Sequence, residues 1–187
     1  HPMDRTDEGL LADTAAGNVG ALRELYDRYR TRLMTYALYA VGDRALAEDV
    51  LQEAFIRIHR HAGDFDPGKR FSAWAYAITA NLCRDEIRKA GRRRRLGFRA
   101  EGVFGAAEPV ARTASPRADA AGREFRDRLV AEVAALPHEQ REVVALRFLE
   151  SMPYAEIAGV LGIPMGTVQS RLHAGVRALR DRLAEFH

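Results

Sequence analysis

Thr167, Gln169, Ser170, Arg171, His173 and Arg177 fall close together near the C-terminal end of the chain. Their groups are those that base edges and phosphates ask for. A Gln amide suits adenine, a guanidinium suits guanine or a phosphate oxygen, and hydroxyls serve either. The surrounding stretch, residues 153–173, reads as two helices joined by a tight turn. Pro153 fits an opening turn, where its missing N–H has no partner to lose. Ile157, Val160 and Leu161 recur at helical spacing, and Ala158 leaves room for a crossing helix. Gly162 ends the first helix, Ile163 plugs the corner, Pro164 begins the second helix, and Val168 and Leu172 point inward. The polar set, with Ala174, is left on the open side. This is a helix-turn-helix, its second helix shaped to enter a major groove. No acidic residue lies between Ile157 and Arg180, and Arg180 adds a further cation. The plain alternative is a helical hairpin with a solvated basic face; the acid-free second helix favours DNA.

Two more constellations lie upstream. Between Arg44 and Arg57 the chain holds Glu48, Asp49 and Glu53 and no basic residue. Like charges on one helix face weaken it slightly, so the stretch is either a solvated acidic face or a docking surface for a basic protein. Further on, Lys69, Arg70, Arg84, Arg88, Lys89 and the run Arg92–Arg95 are interleaved with Phe71, Trp74 and Tyr76. Aromatic rings stack on unpaired bases while cations hold the phosphate backbone, a combination suited to single-stranded or opening DNA. Trp74 and Ile78 read as core. Asn81 is either a ligand for an exposed base edge or a surface amide.

Catalytic chemistry finds no footing. The six histidines are scattered, no His/Asp/Glu/Cys set has metal or triad spacing, and no Gly-rich phosphate loop follows a strand. No catalytic residue, metal or cofactor is therefore expected. His59 and His61 read as surface residues at a helix end. The single cysteine, Cys83, excludes an internal disulfide framework and reads as a buried inert thiol. No apolar run is long enough to span a bilayer and no signal peptide leads the chain, which places the protein in the cytoplasm. His1-Pro2 ahead of Met3 is set aside as an appended remnant.

The elements that must position these groups are all helical, because nothing alternates with period two. A short helix around Leu10-Leu11 ends near Gly17-Asn18. A longer one carries the stripe Leu22, Leu25, Tyr26, Tyr29, Leu33, Tyr36 and Ala37 and stops by Gly42. Asp43 caps a third bearing Ala47, Val50, Leu51, Phe55 and Ile58. Turn formers fill 63–68, and a fourth helix runs from Phe71-Ser72 into Arg92–Arg95. The expectation is an all-α protein of two small helical domains: residues 4–96, a flexible basic linker over 97–122, and residues 123–187. The second opens on Phe125, Leu129, Val130, Val133 and Leu136, followed by a helix from Pro137 with Val143, Val144, Leu146 and Phe148. The 47% apolar content supports packed cores, and the net charge of +3 says little until its segregation is seen.

Taken in order, these blocks resemble the bacterial sigma factors of the extracytoplasmic function (ECF) group over nearly the whole chain. The match rests on Ala47-Glu-Asp-Val-Leu-Gln-Glu-Ala-Phe55, Phe65-Asp-Pro67, Phe71-Ser-Ala-Trp-Ala-Tyr-Ala-Ile-Thr-Ala-Asn81 and Arg84-Asp-Glu-Ile-Arg-Lys89. In the second domain it rests on Ala135-Leu-Pro-His-Glu-Gln-Arg-Glu-Val143 and on residues 154–172. The resemblance implies a sigma region-two domain and a sigma region-four domain. It implies a transcription initiation factor without enzymatic activity, which binds core RNA polymerase through Asp49, Gln52, Glu53 and Phe55. The loop 63–70 with Lys69, Arg70, Phe71, Asn81, Arg84, Arg88 and Lys89 would capture and hold the melted minus-ten strand, binding energy alone driving the melting. Thr167, Gln169, Ser170, Arg171, His173 and Arg177 would read the minus-thirty-five duplex. Three positions depart from the commonest pattern: Gln169 where many relatives carry Lys or Arg, Ala174 where a bulkier residue is frequent, and Pro153 where Ser is. A promoter sequence is therefore not transferable. The resemblance further implies an anti-sigma partner, often membrane-bound; with the second domain ending soon after Leu183, signal sensing would reside in such a partner. The competing class is a conventional helix-turn-helix regulator that binds duplex DNA without polymerase.

Overall fold

The structure, a computed structural model, describes residues 5–95, 128–129 and 131–184. The linker expected over 97–122 lies outside the described residues, as do residues 1–4 and 185–187. Among the described residues every regular element is helical: α1 (Asp7–Ala15), α2 (Val19–Val41), α3 (Arg44–Arg60), a short 3-10 turn (Ala62–Asp64), α4 (Phe71–Arg95), α5 (His138–Phe148), α6 (Tyr154–Leu161) and α7 (Met165–Ala184). Residues 128–129 and 131–134 are helical as well.

The caps explain where the helices start. Thr6 Oγ1 accepts from Gly9 N at 3.1 Å, Asn18 Oδ1 from Gly20 N at 3.0 Å, and Asp43 Oδ1 from Leu46 N at 2.9 Å. Each satisfies a donor that the first turn leaves orphaned. The N-terminus of α4 draws on a more distant residue. Phe71 N donates to Glu8 Oε1 at 2.9 Å, so a carboxylate of α1 sits at the positive end of α4. Asp7 binds α2 in the same way, accepting from Arg28 Nη1 at 2.7 Å and from the Tyr29 hydroxyl. Burial pushes the Tyr29 phenol well above its ordinary range, and the Asp7 carboxylate adds to the shift.

The expected stripe of α2 faces inward at Leu25, Tyr29, Leu33, Tyr36 and Ala37. It packs on Ala47, Val50, Ala54 and Ile58 of α3 and on Phe71, Ala75, Tyr76 and Cys83 of α4. Tyr29–Phe71 and Tyr36–Tyr76 meet edge to face at 4.9 and 5.5 Å, which sets the crossing of α2 and α4. Burying each large side chain contributes about 1.5–3 kcal/mol. In the second half Val143, Leu146, Ile157, Leu161 and Val168 form the equivalent core.

The two helical domains pack against each other. Helices α5 and α6 pack against α2 and α4, and the buried apolar cluster is continuous from Leu10 to Leu179. Arg141, 6% exposed, reaches across: Nη2 donates to Ala40 O at 3.2 Å and Nη1 to Ala134 O at 2.6 Å. Ala40 lies in the last turn of α2 and Ala134 closes the helical stretch before α5. One guanidinium therefore serves two C-terminal carbonyls, where a cation suits the helix dipole. Burial pulls the Arg141 pKa below its ordinary value, with Glu142 opposing.

Candidate functional site

The helix-turn-helix forms as the spacing predicts, shifted by one residue. Pro153 is the N-cap and α6 begins at Tyr154. Gly162 closes α6 with φ of 65°, a left-handed turn that admits glycine without cost. Val168, Leu172, Gly175 and Leu179 make the buried stripe of α7. Gly175 is required by contact: a Cβ there would lie 2.9 Å from Val144 Cγ2, so α7 crosses α5 with no room for one unless Val144 shifts. On the opposite side Gln169, Ser170, His173 and Arg177 are exposed at helical spacing. Thr167 is half-buried and its carbonyl accepts from Ser170 Oγ at 3.1 Å. Arg171 turns away from this stripe toward α5, 3.7 Å from Glu139 and 3.8 Å from Glu142.

On α3, Asp49 and Gln52 are exposed and Glu53 half-exposed. The acidic run is partly balanced by its flanks, Arg44 on Glu48 at 3.0 Å and Arg57 on Glu53 at 2.8 Å. Beside it, Tyr26 (39% exposed) and Ile56 (44% exposed) add apolar surface to a shallow groove between α2 and α3. Phe55 forms the floor: its ring is buried and stacks edge to face on Tyr26 at 4.8 Å. A second depression, between α3 and α4, is lined by Asp49, Gln52, Glu53, Asp85, Glu86 and Lys89 among others.

Lys69 and Arg70 in the loop before α4 and Asn81 and Arg88 on it are exposed, and Arg84 is half-buried. Asn81, Arg84 and Arg88 share one stripe at spacings of three and four. Arg88 pairs with Asp85 on its own helix. The loop before α4 is held by Asp66, whose carboxylate accepts from Gly68 N at 2.9 Å, and by Phe65 packed on Trp74 with ring centroids 5.2 Å apart.

Comparison with known proteins agrees with this geometry. The family model for sigma-70 region 2 matches residues 25–93, and that for sigma-70 region 4 matches residues 126–179. The ECF RNA polymerase sigma factor SigW of Bacillus subtilis is 31% identical over 98% of this chain and 100% of its own length. The chain belongs to the ECF RNA polymerase sigma factors. SigL of Mycobacterium tuberculosis strain H37Rv, another ECF sigma factor, is 34% identical over 94% of this chain and 96% of its own. CnrH, solved in complex with the cytosolic domain of CnrY, superposes with a TM-score of 0.68 at 25% identity, covering 97% of this chain and 99% of that one. The sigma factor RpoE of Bartonella quintana, solved with the anti-sigma factor NepR, shares the fold at a TM-score of 0.69 and 22% identity. This sigma factor is thus a transcription initiation factor that directs RNA polymerase to promoters, and the plain-regulator reading is set aside.

The structure regroups several of the residues singled out in the sequence. Phe71 cannot touch DNA in this fold: it is fully buried between Tyr29 and Trp74, because the first turn of α4 inserts into the core. Lys89 pairs with Glu86 at 2.6 Å and lines the depression shared with α3, away from the Asn81–Arg84–Arg88 stripe. Phe148, expected on the apolar side of α5, is 62% exposed at its C-terminal end. Tyr26 and Ile56 were missed as surface residues, since periodicity assigns an apolar side chain to a core before it assigns one to an interface.

Proposed function

We propose that this sigma factor works through three surfaces and by binding alone, without a cofactor or a catalytic step. The face of α3 carrying Asp49, Gln52 and Glu53 docks core polymerase, with Tyr26 and Ile56 giving the charged patch an apolar centre. Phe55 supports it from beneath. The carrying observation is this combination of exposed acid and exposed apolar surface on one face, which suits a basic protein partner better than water. Lys69, Arg70, Asn81, Arg84 and Arg88 hold the melted minus-ten strand. Gln169, Ser170, His173 and Arg177 read the minus-thirty-five duplex, with Thr167 supporting and Arg171 set by α5. The two sets belong to functional domains 4–96 and 123–187, with 97–122 as their link.

The setting of this activity is the cytoplasm, where polymerase and promoter meet. CnrH, with the same fold, is bound to the cytosolic domain of CnrY, and this supports an anti-sigma partner that masks the docking face here too. Run-off transcription with sigma-free core polymerase and a library of upstream fragments tests the reading. Discrete start sites that vanish when the protein is omitted are expected. Asp49→Lys with Glu53→Lys should abolish core binding while circular dichroism shows an intact fold; normal core affinity in that folded variant refutes the docking assignment.

A further inference from the structure

The seam between the halves is built on a charge pattern. Glu150, whose side chain is 5% exposed, accepts from Arg32 Nε at 2.9 Å. Glu156, 13% exposed, accepts from Arg70 Nη1 at 3.0 Å. Glu142, 3% exposed, is paired within its own half instead, 3.3 Å from His138 and 3.8 Å from Arg171. On α4 the Arg84 guanidinium has Nε and Nη2 buried and making no hydrogen bond to the described residues. In both pairs that cross the seam the carboxylate comes from the second half and the cation from α2 or the loop before α4. Helix α6 meanwhile packs on α4.

We infer that the second half inhibits the first by mimicking a phosphate backbone. Glu156 sits where a melted strand's phosphate would meet Arg70, and Glu150 locks the arrangement through Arg32. Closed chain and bound single strand are mutually exclusive, so nucleic acid at α4 requires the halves to part. This rests on the assignment of Arg70 to the minus-ten strand. It adds that this cation is already occupied by one of the protein's own acids. Arginine–carboxylate contacts are the natural target of such competition, because carboxylate and phosphate present the same paired oxygens to the guanidinium fork.

The test uses the full chain and a short fluorescent single-stranded oligodeoxynucleotide of random sequence. The variant is Glu150→Gln with Glu156→Gln, matched for charge by Asp13→Asn with Asp181→Asn, whose side chains are 44% and 68% exposed and pair within their own halves, with Arg5 and Arg177. Small-angle scattering reports closure: a compact chain of this length has a radius of gyration of about 16 Å. The seam variant should expand by several Å and bind the oligonucleotide about tenfold tighter than the charge-matched control. That gain corresponds to a closed form outnumbering the open one by about ten to one. Equal affinities in the two variants overturn the proposal, as does an unchanged radius in the seam variant. The minus-ten assignment fails separately: Arg70→Ala with Arg84→Ala would then leave promoter opening by the polymerase complex undiminished.

Discussion

Replacing Arg141 by Met tests whether one buried cation ties the two halves into a single cooperative unit. The side chain is 6% exposed and its guanidinium donates to Ala134 O and Ala40 O at 2.6 and 3.2 Å. Methionine fills similar volume but leaves both C-terminal carbonyls without that donor. Two hydrogen bonds from a charged group contribute about 3–6 kcal/mol together. Relief from burying the charge, which already lowers the arginine's pKa, returns part of this. A net loss of about 3 kcal/mol is the central expectation. If the chain melts as one unit, each kcal/mol corresponds to about 2–4 °C, so Tm should fall by about 6–12 °C. Thermal melts followed by far-UV circular dichroism and by Trp74 fluorescence read the two aspects together. Trp74 lies in the first half, so a coupled unit loses both signals at the same lower temperature. A Tm within about 2 °C of the parent would refute the role given to Arg141. A drop in ellipticity that leaves the Trp74 transition in place would refute the coupling alone.

Other outcomes follow from single contacts. Gly175→Val should destabilise the chain by about 2–3 kcal/mol in urea titrations, because the new side chain meets Val144 at the crossing of α5 and α7. Gly175→Ala should cost less, since a helix gains about 1 kcal/mol from alanine over glycine. The Cys83 thiol is pushed up to about 12, by burial first and by Glu142 second. Its thiolate fraction near neutral pH is then roughly a thousandfold below that of a free cysteine, rising about tenfold per pH unit, and alkylation should be slower in proportion; labelling as fast as a free thiol's contradicts this. Arg177→Ala should weaken promoter-duplex binding at every sequence and lower the salt slope by about one, whereas Gln169→Ala should relax preference at a single base pair. The ion pair of Arg177 with Asp181, 3.9 Å apart and exposed, contributes little to stability, so Tm should hardly move.

Much of the local structure was legible because each helix carries its own signals. Asp43, Gly162 and Pro164 punctuate, and Leu25, Leu33, Val168 and Leu172 repeat at the period that buries one face. The exposed stripe of α7 was legible for the same reason: fixing its buried side fixes its open side. Pairings between distant residues were not. The bond from Phe71 to Glu8 and the reach of Arg141 to Ala40 depend on three-dimensional packing that no local pattern encodes. Phe71 illustrates the cost of reading by neighbourhood, since an aromatic among arginines looks like a stacking platform until its ring is found filling the core beneath Tyr29. Lys89 differs from Arg88 only in register, yet one residue of rotation carries it to the face shared with α3. The two helical domains were legible, but their closure on each other was not: the acids that close the seam, Glu150 and Glu156, bear no local mark of a partner in the other half.

The carboxylate of Glu8 at the head of α4 also bears on how this sigma factor can be trimmed. The region-2 match begins at residue 25, within α2, so a fragment cut at that boundary would keep every residue assigned here to polymerase or DNA. It would lose α1 and residues 19–24 of α2, and with α1 the anion that anchors Phe71 N. The first turn of α4, which aims Lys69 and Arg70, would then fray from its leading end. A truncated protein of this kind would pass a test of polymerase binding through α3 and fail one of strand capture, its defect arising from a missing helix that touches neither ligand.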